Sequence, residues 1–287
     1  MASKKSEVAK KAESAVATND YGDFAGAGFE NVSASDLKIP FLGLLQGLSP
    51  QLKKDGIPGA QQGMLFNTVT NDLFDGDEGV EFIGAATEHC FVEWVPRDAG
   101  GGFRAKHSPI SEVVTKAQAQ FPFNELKTDP DPETGVRNDL VETFYIYGVS
   151  VGEAGVAQPI ILAFKGTHIA AYRDWMSKLS YYVHVNEDGS KVPGNKLPLF
   201  AYLARVHSVE QKNNKGEFYN FDIRPAIGGK LKESMLTPDD ERFQAAHEIS
   251  QMFQKGQVSG DYAGQDNAKP SEPSGAAGDT TSEKPPF

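Results

Sequence analysis

The sequence predicts a mainly β or α+β fold, in which a small antiparallel barrel or an open sheet is accompanied by a middle helix and a C-terminal helix. Three observations support this prediction. Aromatic residues make up 10% of the 287 residues, and aromatic side chains suit pleated, half-buried surfaces. Short runs of β-forming residues are separated by turns rich in glycine and proline. The clearest helical spacing of apolar residues occurs in two later segments.

The globular domain is expected to occupy residues 24–255, between two polar termini. Residues 1–23 contain four Lys balanced by four acidic residues and few large apolar side chains, so we expect a disordered arm there. Residues 256–287 are rich in Ser, Gly, Ala and Pro and contain five acidic residues and two Lys, a net charge of −3. This composition predicts a disordered acidic tail.

The first half of the domain reads as strands separated by loops. Residues 36–50 are densely apolar and include a proline, which favours an extended segment followed by a strand or a short helix. Residues 64–70 form a predicted strand, and residues 80–96 form one long strand or two short ones. Residues 97–107 are glycine-rich and basic and predict a loop, whereas residues 112–123 have the composition of a short helix.

The middle of the domain predicts a hairpin followed by a helix. Residues 125–140 are polar and rich in proline and aspartate, which is typical of an exposed loop. Residues 141–151 and 159–164 are rich in β-branched and aromatic residues and lie either side of a short turn, so they predict a β-hairpin. Helical spacing of apolar residues then begins within 165–179, after a possible cap at Thr167.

The last third predicts a second hairpin and a closing helix. The β-rich segments 197–209 and 216–227 are separated by a polar turn. Thr237 is the predicted N-cap of the helix, with proline and three acidic residues in its first turn. An apolar stripe then recurs at helical spacing, and Gly256 ends it. The stripe consists of Phe243, Ala246, Ile249 and Phe253.

Composition excludes several classes of protein. The net charge of −11 disfavours non-specific binding of polyanions, although a local basic patch can override the total. The single cysteine, Cys90, excludes an intramolecular disulfide and a cysteine-based zinc cluster, and it suits a reducing cytosol. The N-terminus lacks a signal-peptide apolar region, and the sequence has no apolar run of the ~18 residues needed to span a membrane.

The sequence gives little support to catalysis. The six His residues are scattered, with no spacing that would place two imidazoles on one metal. His89 next to Cys90 suggests a nucleophile pair, but neighbouring strand residues face opposite ways. The acidic run at 129–135 lacks the ligand pattern of a calcium loop. We therefore expect a non-enzymatic protein without a metal or cofactor.

Interleaved aromatic and basic residues are the strongest functional signal. Such patterns bind single strands because bases stack on aromatic rings while Lys and Arg follow the phosphates, with ~1–3 kcal/mol per stacked base. The alternative is that the aromatic residues fill the core and the basic residues form an ordinary solvated face. The candidate stacking residues are Trp94, Trp175, Tyr202, Tyr219 and Phe221. The candidate phosphate contacts are Arg97, Arg104, Lys106, Arg205, Lys212 and Lys215.

The chain resembles bacteriophage-type single-stranded DNA-binding proteins in four places. These are LKIPFLGLLQGLSP, FVEWVPRDAGGG, the hairpin containing QKNNKGEFYNFDI, and the tail that ends in Pro-Pro-Phe. The tail ending also resembles that of bacterial single-stranded DNA-binding proteins. The resemblance implies an OB-fold-like β-barrel, a groove for single strands, and a tail that recruits replication or recombination proteins through Phe287.

Two functional hypotheses follow from these patterns. The first is a sequence-tolerant single-stranded DNA-binding protein of phage DNA replication or recombination, acting in the host cytoplasm. The second is a non-enzymatic phage structural or assembly protein, which the acidic balance and aromatic-rich strands also fit. The sequence leaves the oligomeric state open, including a homo-oligomer.

Overall fold

The computed structural model describes residue 28 and residues 38–152, 156–185, 191–213 and 216–262. In chain order the described strands are β1 (Leu42–Leu44), β2 (Leu65–Asn67), β3 (Leu73–Phe74), β4 (Val80–Trp94), β5 (Phe103–His107), β6 (Asp139–Val151), β7 (Ala157–Lys165), β8 (Val183–Val185), β9 (Lys191–Lys196), β10 (Leu203–Asn213) and β11 (Gly216–Pro225). The α-helices are α1 (Glu112–Gln120), α2 (Ile169–Ser180) and α3 (Glu241–Gln254).

The central sheet is antiparallel and open. It contains six strands in the order β11-β10-β4-β6-β7, with β5 also paired to β4. Strand β4 pairs with β6 along almost its whole length, while its other edge is shared by β10 at Val80–Ile83 and by β5 at Phe91–Trp94. The predicted α+β open sheet with a middle and a C-terminal helix is confirmed, and the closed OB-fold-like barrel is wrong.

A bulge in β4 decides which side chains reach each face of the sheet. The register with β6 shifts between Gly84 and Ala86, so one extra residue lies in β4. Phe82 and His89 therefore share the first face, although they lie an odd number of positions apart. Ile83 and Cys90 share the second face, where they belong to one apolar cluster.

Two cores lie on the two faces of the sheet. On the first face, residues of β1, β2 and α2 pack against the sheet, with Leu65 and Trp175 among the buried side chains. On the second face, α3 contributes Ala246 and Ile249 and packs beside Phe41. Full burial of each large apolar side chain contributes ~1.5–3 kcal/mol. Helix α1 covers a third, smaller cluster around Phe91, at the C-terminal end of β4.

The predicted hairpins are confirmed. Strands β6 and β7 pair from Thr143–Lys165 to Val151–Ala157, and β10 and β11 pair from Ala204–Pro225 to Asn213–Gly216. The predicted loop at 97–107 is wrong in its second half. Three consecutive glycines with positive φ, at 100–102, complete a turn, after which Phe103–His107 returns as β5.

Two helices begin later in the sequence than predicted. Helix α2 begins at Ile169 after a 3-10 turn, and no side chain caps it, so the predicted cap at Thr167 is wrong. Helix α3 begins at Glu241, and the Asp240 carboxylate accepts a hydrogen bond from the Arg242 backbone N–H at 2.9 Å. The predicted cap, Thr237, precedes this start by a turn. Local signals thus identified both helices but not their first residues.

Packed structure continues beyond the predicted end of the domain at residue 255. The Ile39 N–H donates to the Ser259 carbonyl at 2.8 Å, and the Asp261 N–H donates to the Ile39 carbonyl at 2.9 Å. These bonds hold residues 257–262 against the second face, because they satisfy backbone groups on both segments. The predicted arm at 1–23 and residues 263–287 lie outside the described residues.

Candidate nucleic-acid interface

Three of the five predicted stacking residues are buried. Trp175, Tyr202 and Phe221 are 2%, 1% and 5% exposed and pack in the core of the first face. A base cannot reach their rings in this fold, so their assignment as stacking residues is wrong. The alternative reading, in which aromatic residues fill the core, applies to these three positions.

Three of the predicted phosphate contacts already have carboxylate partners. The Lys106 ammonium lies 2.8 Å from a Glu88 oxygen, the Arg205 guanidinium 2.5 Å from Glu81, and the Lys212 ammonium 3.2 Å from Glu217. A phosphate would have to displace a carboxylate at each position. Lys106 and Arg205 are also partly buried, which makes that exchange harder than it would be at the exposed Lys212.

Lys106 belongs to a closed cluster, the C-terminal clasp, formed by Glu88, Phe103, Lys106, Tyr147 and Tyr262. The Tyr147 hydroxyl donates to Glu88 at 2.6 Å, and the Tyr262 ring stacks on Phe103 with centroids 4.6 Å apart. Burial lowers the pKa of Lys106, but hydrogen bonds to Glu88 and Tyr262 outweigh burial and leave that pKa above its usual value. The clasp therefore holds residue 262 on the second face.

The end of β4, the start of β5 and the turn between them retain three candidates. Trp94 is half-buried, with the edge of Phe103 at 6.0 Å and the Lys165 ammonium 5.1 Å from the ring centroid. Arg97 and Arg104 are exposed, and neither forms an ion pair with any residue that the structure describes. This turn can contribute positive charge, but Trp94 already has neighbours on its ring.

The remaining candidates are Tyr219, Lys215 and Phe287. Tyr219 is half-buried, and its ring packs so close to Gly63 that a Cβ there would overlap the ring. Its backbone is bonded to the Gln46 side chain, which donates to the Tyr219 carbonyl at 2.8 Å and accepts from the Tyr219 N–H at 2.9 Å. Lys215 and Phe287 lie outside the described residues.

The structure brings together an aromatic surface that the sequence did not reveal. We call it the aromatic ledge, and it consists of His89, Phe144, Tyr172 and Arg173. His89 and Phe144 are opposite each other on β4 and β6, and their rings stack at 4.2 Å with an interplanar angle of 7°. Tyr172 stacks on Phe144 at 4.6 Å, and the Arg173 guanidinium lies 5.9 Å from the Phe144 centroid.

The ledge is fixed by the core beneath it. Tyr172 packs against Phe164 at 5.6 Å, and Phe164 packs edge-on against the buried Phe221 at 5.6 Å. Burial raises the pKa of Tyr172, although a hydrogen bond with Thr87 partly offsets the effect of burial. These contacts immobilise the rings before any ligand arrives, so binding costs little further side-chain entropy.

The outer member of the ledge, His89, is partly open to solvent, and the Phe91 ring lies 6.0 Å from its ring at a tilt of 41°. The His89 side chain is 39% exposed, and its Nε2 lies 3.1 Å from a Glu142 carboxylate oxygen that orients the ring. Arg173 is exposed and has no ion-pair partner among the described residues. An exposed ring beside a free guanidinium can hold a stacked base and its phosphate.

Sequence reasoning missed the ledge because its members come from three elements. Alternation along β6 could have placed Phe144 on the same face as Ile146, and the predicted helix within 165–179 includes Tyr172. The pairing of β4 with β6, which puts His89 opposite Phe144, has no local signal. The sequence instead suggests His89 as one half of a nucleophile pair with Cys90.

Geometry separates that pair. His89 lies on the first face, and Cys90 is buried in the core of the second. Burial, followed by the charge of Glu88, raises the pKa of the Cys90 thiol to about 12, so the thiolate is disfavoured at neutral pH. The acidic loop is internally bonded, since Asp131 accepts from the N–H groups of Glu133 and Thr134 at 3.0 and 2.9 Å.

Within the described residues, no cluster of three or more His, Cys, Asp or Glu side chains has an arrangement that could hold a metal ion. None of the helices in the described ranges combines the length and the apolar character that a membrane-spanning helix requires.

Comparison with protein families identifies the family of the chain. A family model described as Pam3 phage gp34-like protein matches residues 8–259, which is most of the chain. No curated protein matches the chain, and no solved structure matches it.

Proposed function

The chain belongs to the family of Pam3 phage gp34-like proteins, and from that premise we propose that it is a non-enzymatic phage protein that binds single-stranded DNA without sequence preference. The observation that carries the proposal is the aromatic ledge, a pre-stacked set of rings whose outer member, His89, is exposed, beside Arg173, which has no ion-pair partner among the described residues. The proposed place of action is phage DNA replication or recombination in the host cytoplasm.

The ledge suits a base better than a protein side chain for a physical reason. The outer face of His89 continues a parallel stack, at the spacing and tilt that stacked rings adopt. A base placed on it extends the stack to four rings, with ~1–3 kcal/mol per stacked base. Because every base has a π-face, such a contact does not depend on sequence.

Charge limits the affinity that we expect. The net charge of −11 opposes approach of a polyanion, and Glu142 lies beside His89. The attraction must therefore come from a few local cations, among them Arg173, Arg97 and Arg104. With ~3 phosphate contacts, the slope of log K against log salt should be near −2 for a single strand.

The test is an anisotropy titration of a labelled oligothymidine of ~16 nucleotides, a length at the upper end of common site sizes. We expect binding at ~50 mM salt that weakens steeply towards ~200 mM. His89→Ala should weaken binding about tenfold, because it removes one stacking surface worth ~1.4 kcal/mol. Lys54→Gln, on an exposed loop, is the matched surface control. Absence of salt-sensitive binding by the wild-type protein would overturn the proposal.

A structural or assembly role is the second candidate, and exposed apolar side chains favour it. Leu48 and Ile110 are 95% and 87% exposed, and exposed apolar groups are used at protein interfaces. This role predicts stoichiometric amounts of the protein in purified phage particles and no affinity for oligonucleotides. The particle content and the titration together decide between the two candidates.

We also propose that the tail recruits replication or recombination proteins through Phe287. The packed segment at 257–262 makes Tyr262 the appropriate last residue of a truncated protein, rather than Lys255. Truncation after Tyr262 should abolish capture of those partners and leave the thermal midpoint of the domain unchanged. A truncated protein that still captures the same partners would overturn this part of the proposal.

A further inference from the structure

A cleft of about 430 Å³ lies between the C-terminal end of α2 and the segment that follows β11. This volume falls within the ~300–1,000 Å³ of pockets that hold small ligands. The lining includes Lys178, Tyr181, Tyr182, Arg224, Pro225 and Leu231. None of these residues belongs to the aromatic ledge, so the cleft is a separate candidate site.

Both sides of the cleft are held by contacts with the protein interior. The buried Ser234 hydroxyl accepts from the Ile227 N–H at 2.8 Å and donates to the Ile227 carbonyl at 3.3 Å. These bonds fix the turn that carries Leu231, whose side chain is itself buried. At the end of α2, the Tyr182 ring packs edge-on against the buried Tyr202 with centroids 6.4 Å apart. The cleft is therefore formed before a ligand binds, which lowers the entropic cost of binding.

The lining is cationic, although the whole protein has a net charge of −11. Lys178 is exposed and has no ion-pair partner in the part of the chain that the structure describes. The Arg224 guanidinium is held by Asp222, with Nε and Nη2 both 2.6 Å from one carboxylate oxygen. Because a guanidinium carries five N–H donors, others can bind a ligand. No described carboxylate lines this cleft, whereas acidic side chains line two other clefts of similar volume.

The nearby end of α2 does not prevent an anion from binding. Carbonyl groups at the C-terminus of a helix carry partial negative charge. The Ser177 carbonyl accepts from the Ser180 hydroxyl at 2.7 Å. The Leu179 carbonyl accepts from the Tyr182 N–H at 3.2 Å. Lys178 lies in the last turn, where a cation offsets the helix dipole.

The cleft also offers surface for a flat ring. Tyr181 is 84% exposed, so its ring is open to a stacking partner. Pro225 and Leu231 add apolar surface to the same lining. We infer that the cleft binds an aromatic ring joined to a phosphate, the chemistry of a nucleoside monophosphate. A phosphate monoester carries a charge of about −1.5 to −2 at neutral pH, which two cations match.

The inference is tested by calorimetric titration of the full-length protein with thymidine 5′-monophosphate, thymidine and inorganic phosphate. The monophosphate should bind with a dissociation constant of ~1 mM or below. Thymidine and inorganic phosphate should each bind at least ~10-fold more weakly, because each lacks one half of the ligand. Absence of saturable binding of the monophosphate up to ~10 mM would overturn the inference.

Variants show whether the ligand lies in the cleft. Tyr181→Ala should weaken binding of the monophosphate about tenfold, and Lys178→Gln about fivefold. Both side chains are exposed, so the thermal midpoint should not change. Phe123→Ala removes an aromatic ring that is 59% exposed outside the cleft, and Lys54→Gln removes an exposed cation elsewhere. Neither of these control variants should affect binding.

The outcomes separate the cleft from the ledge. If His89→Ala weakens binding of the monophosphate and Tyr181→Ala does not, the ligand lies on the ledge and the cleft is overturned. If the protein binds the monophosphate but no oligothymidine, the proposed function fails and the cleft stands. If it binds oligothymidine but not the monophosphate, the cleft is overturned and the proposed function stands.

The same chemistry could come from a free nucleotide or from the phosphorylated end of a strand. Competition with 5′-phosphorylated and unphosphorylated oligothymidine of one length distinguishes these sources. Displacement of the monophosphate by the phosphorylated strand alone would support the cleft and identify a strand end as its ligand. Displacement by neither strand, with binding still sensitive to Tyr181→Ala, would support the cleft as a site for the free nucleotide.

Discussion

The aromatic ledge and the C-terminal clasp contain the same residue types, but the ledge is open to solvent at one ring and the clasp is closed. Each places stacked rings beside a cation, with Arg173 near Phe144 in one and Lys106 near Tyr262 in the other. In the clasp, Glu88 neutralises the cation and Tyr262 covers Phe103. In the ledge, the outer ring is open and no described carboxylate pairs with Arg173. Residue type alone therefore does not identify a binding surface.

The difference in exposure between the ledge and the clasp depends on which elements pack on each face of the sheet. The second face carries α3 and the segment at 257–262, so its polar groups must be satisfied internally. On the first face, α1 and α2 cover different parts of the sheet, and His89 lies between them. A ring at that position keeps one side in water, where a ligand can reach it.

The largest expected effect comes from breaking the clasp. Glu88→Ala leaves the Lys106 ammonium partly buried without its carboxylate and removes the acceptor of the Tyr147 hydroxyl. We expect the free energy of unfolding to fall by ~2–3 kcal/mol, discounted from the cost of a fully buried pair because both side chains are about one-quarter exposed. Urea denaturation measures this change.

A matched variant shows whether the loss is specific to the clasp. Glu112→Ala also removes one carboxylate from a lysine pair, but that pair lies on the surface of α1. It should change the unfolding midpoint far less than Glu88→Ala. Equal losses in the two variants would mean that the clasp is no more than a surface ion pair.

A second effect concerns the support of the ledge at low pH, because the His168 ring packs edge-on against Phe221 at 5.1 Å beneath the ledge. Burial, followed by the charge of Lys165, lowers the pKa of His168 from 6.5 to about 4. The unfolded chain therefore binds a proton that the folded chain does not, between those two values. Stability should be complete above pH ~6.5 and fall by ~2–3 kcal/mol as the pH decreases to ~4.

The measurement is urea denaturation across that pH range for the wild type and His168→Gln. The variant should lose this part of the pH dependence, whereas His247→Gln on α3 should retain it. A slope that is identical in His168→Gln and the wild type would show that other groups cause the acid sensitivity, and that the support of the ledge is not sensitive to protonation.

The sequence predicted the elements better than it predicted their assembly. Alternation in β6 and the helical stripe of α3 are local, and both elements formed as expected. Whether the sheet closes depends on which strands share the edges of β4, and no local pattern encodes that pairing. The bulge at Gly84–Ala86 also reverses the phase of β4, so face assignments made before it do not apply after it.

The site was less predictable than the fold for a related reason. Trp175, Tyr202 and Phe221 carry the residue types of a stacking surface, but they lie where β1, β2 and α2 cover the sheet. A sequence pattern shows that successive residues of a strand point to opposite faces of the sheet. It does not show which of the two faces other elements cover. The ledge depends on contacts between β4, β6 and α2, which become visible once these elements are packed.

The smallest expected effect is a change in the salt dependence of DNA binding, which distinguishes Arg173 from the ion-paired Arg205. Arg173→Gln removes a guanidinium that has no described carboxylate partner, whereas Arg205→Gln removes one that is bonded to Glu81 at 2.5 Å. If phosphates follow the ledge, the first change should reduce the magnitude of the salt slope by ~0.7 and the second should leave it near the wild-type value. Arg205→Gln should lower the free energy of unfolding more than Arg173→Gln does, because Glu81 loses its partner in Arg205→Gln.

Oligothymidine titrations at several salt concentrations measure the slopes. A slope that changes as much in Arg205→Gln as in Arg173→Gln would mean that the ion-paired strand β10, rather than α2, lies along the DNA.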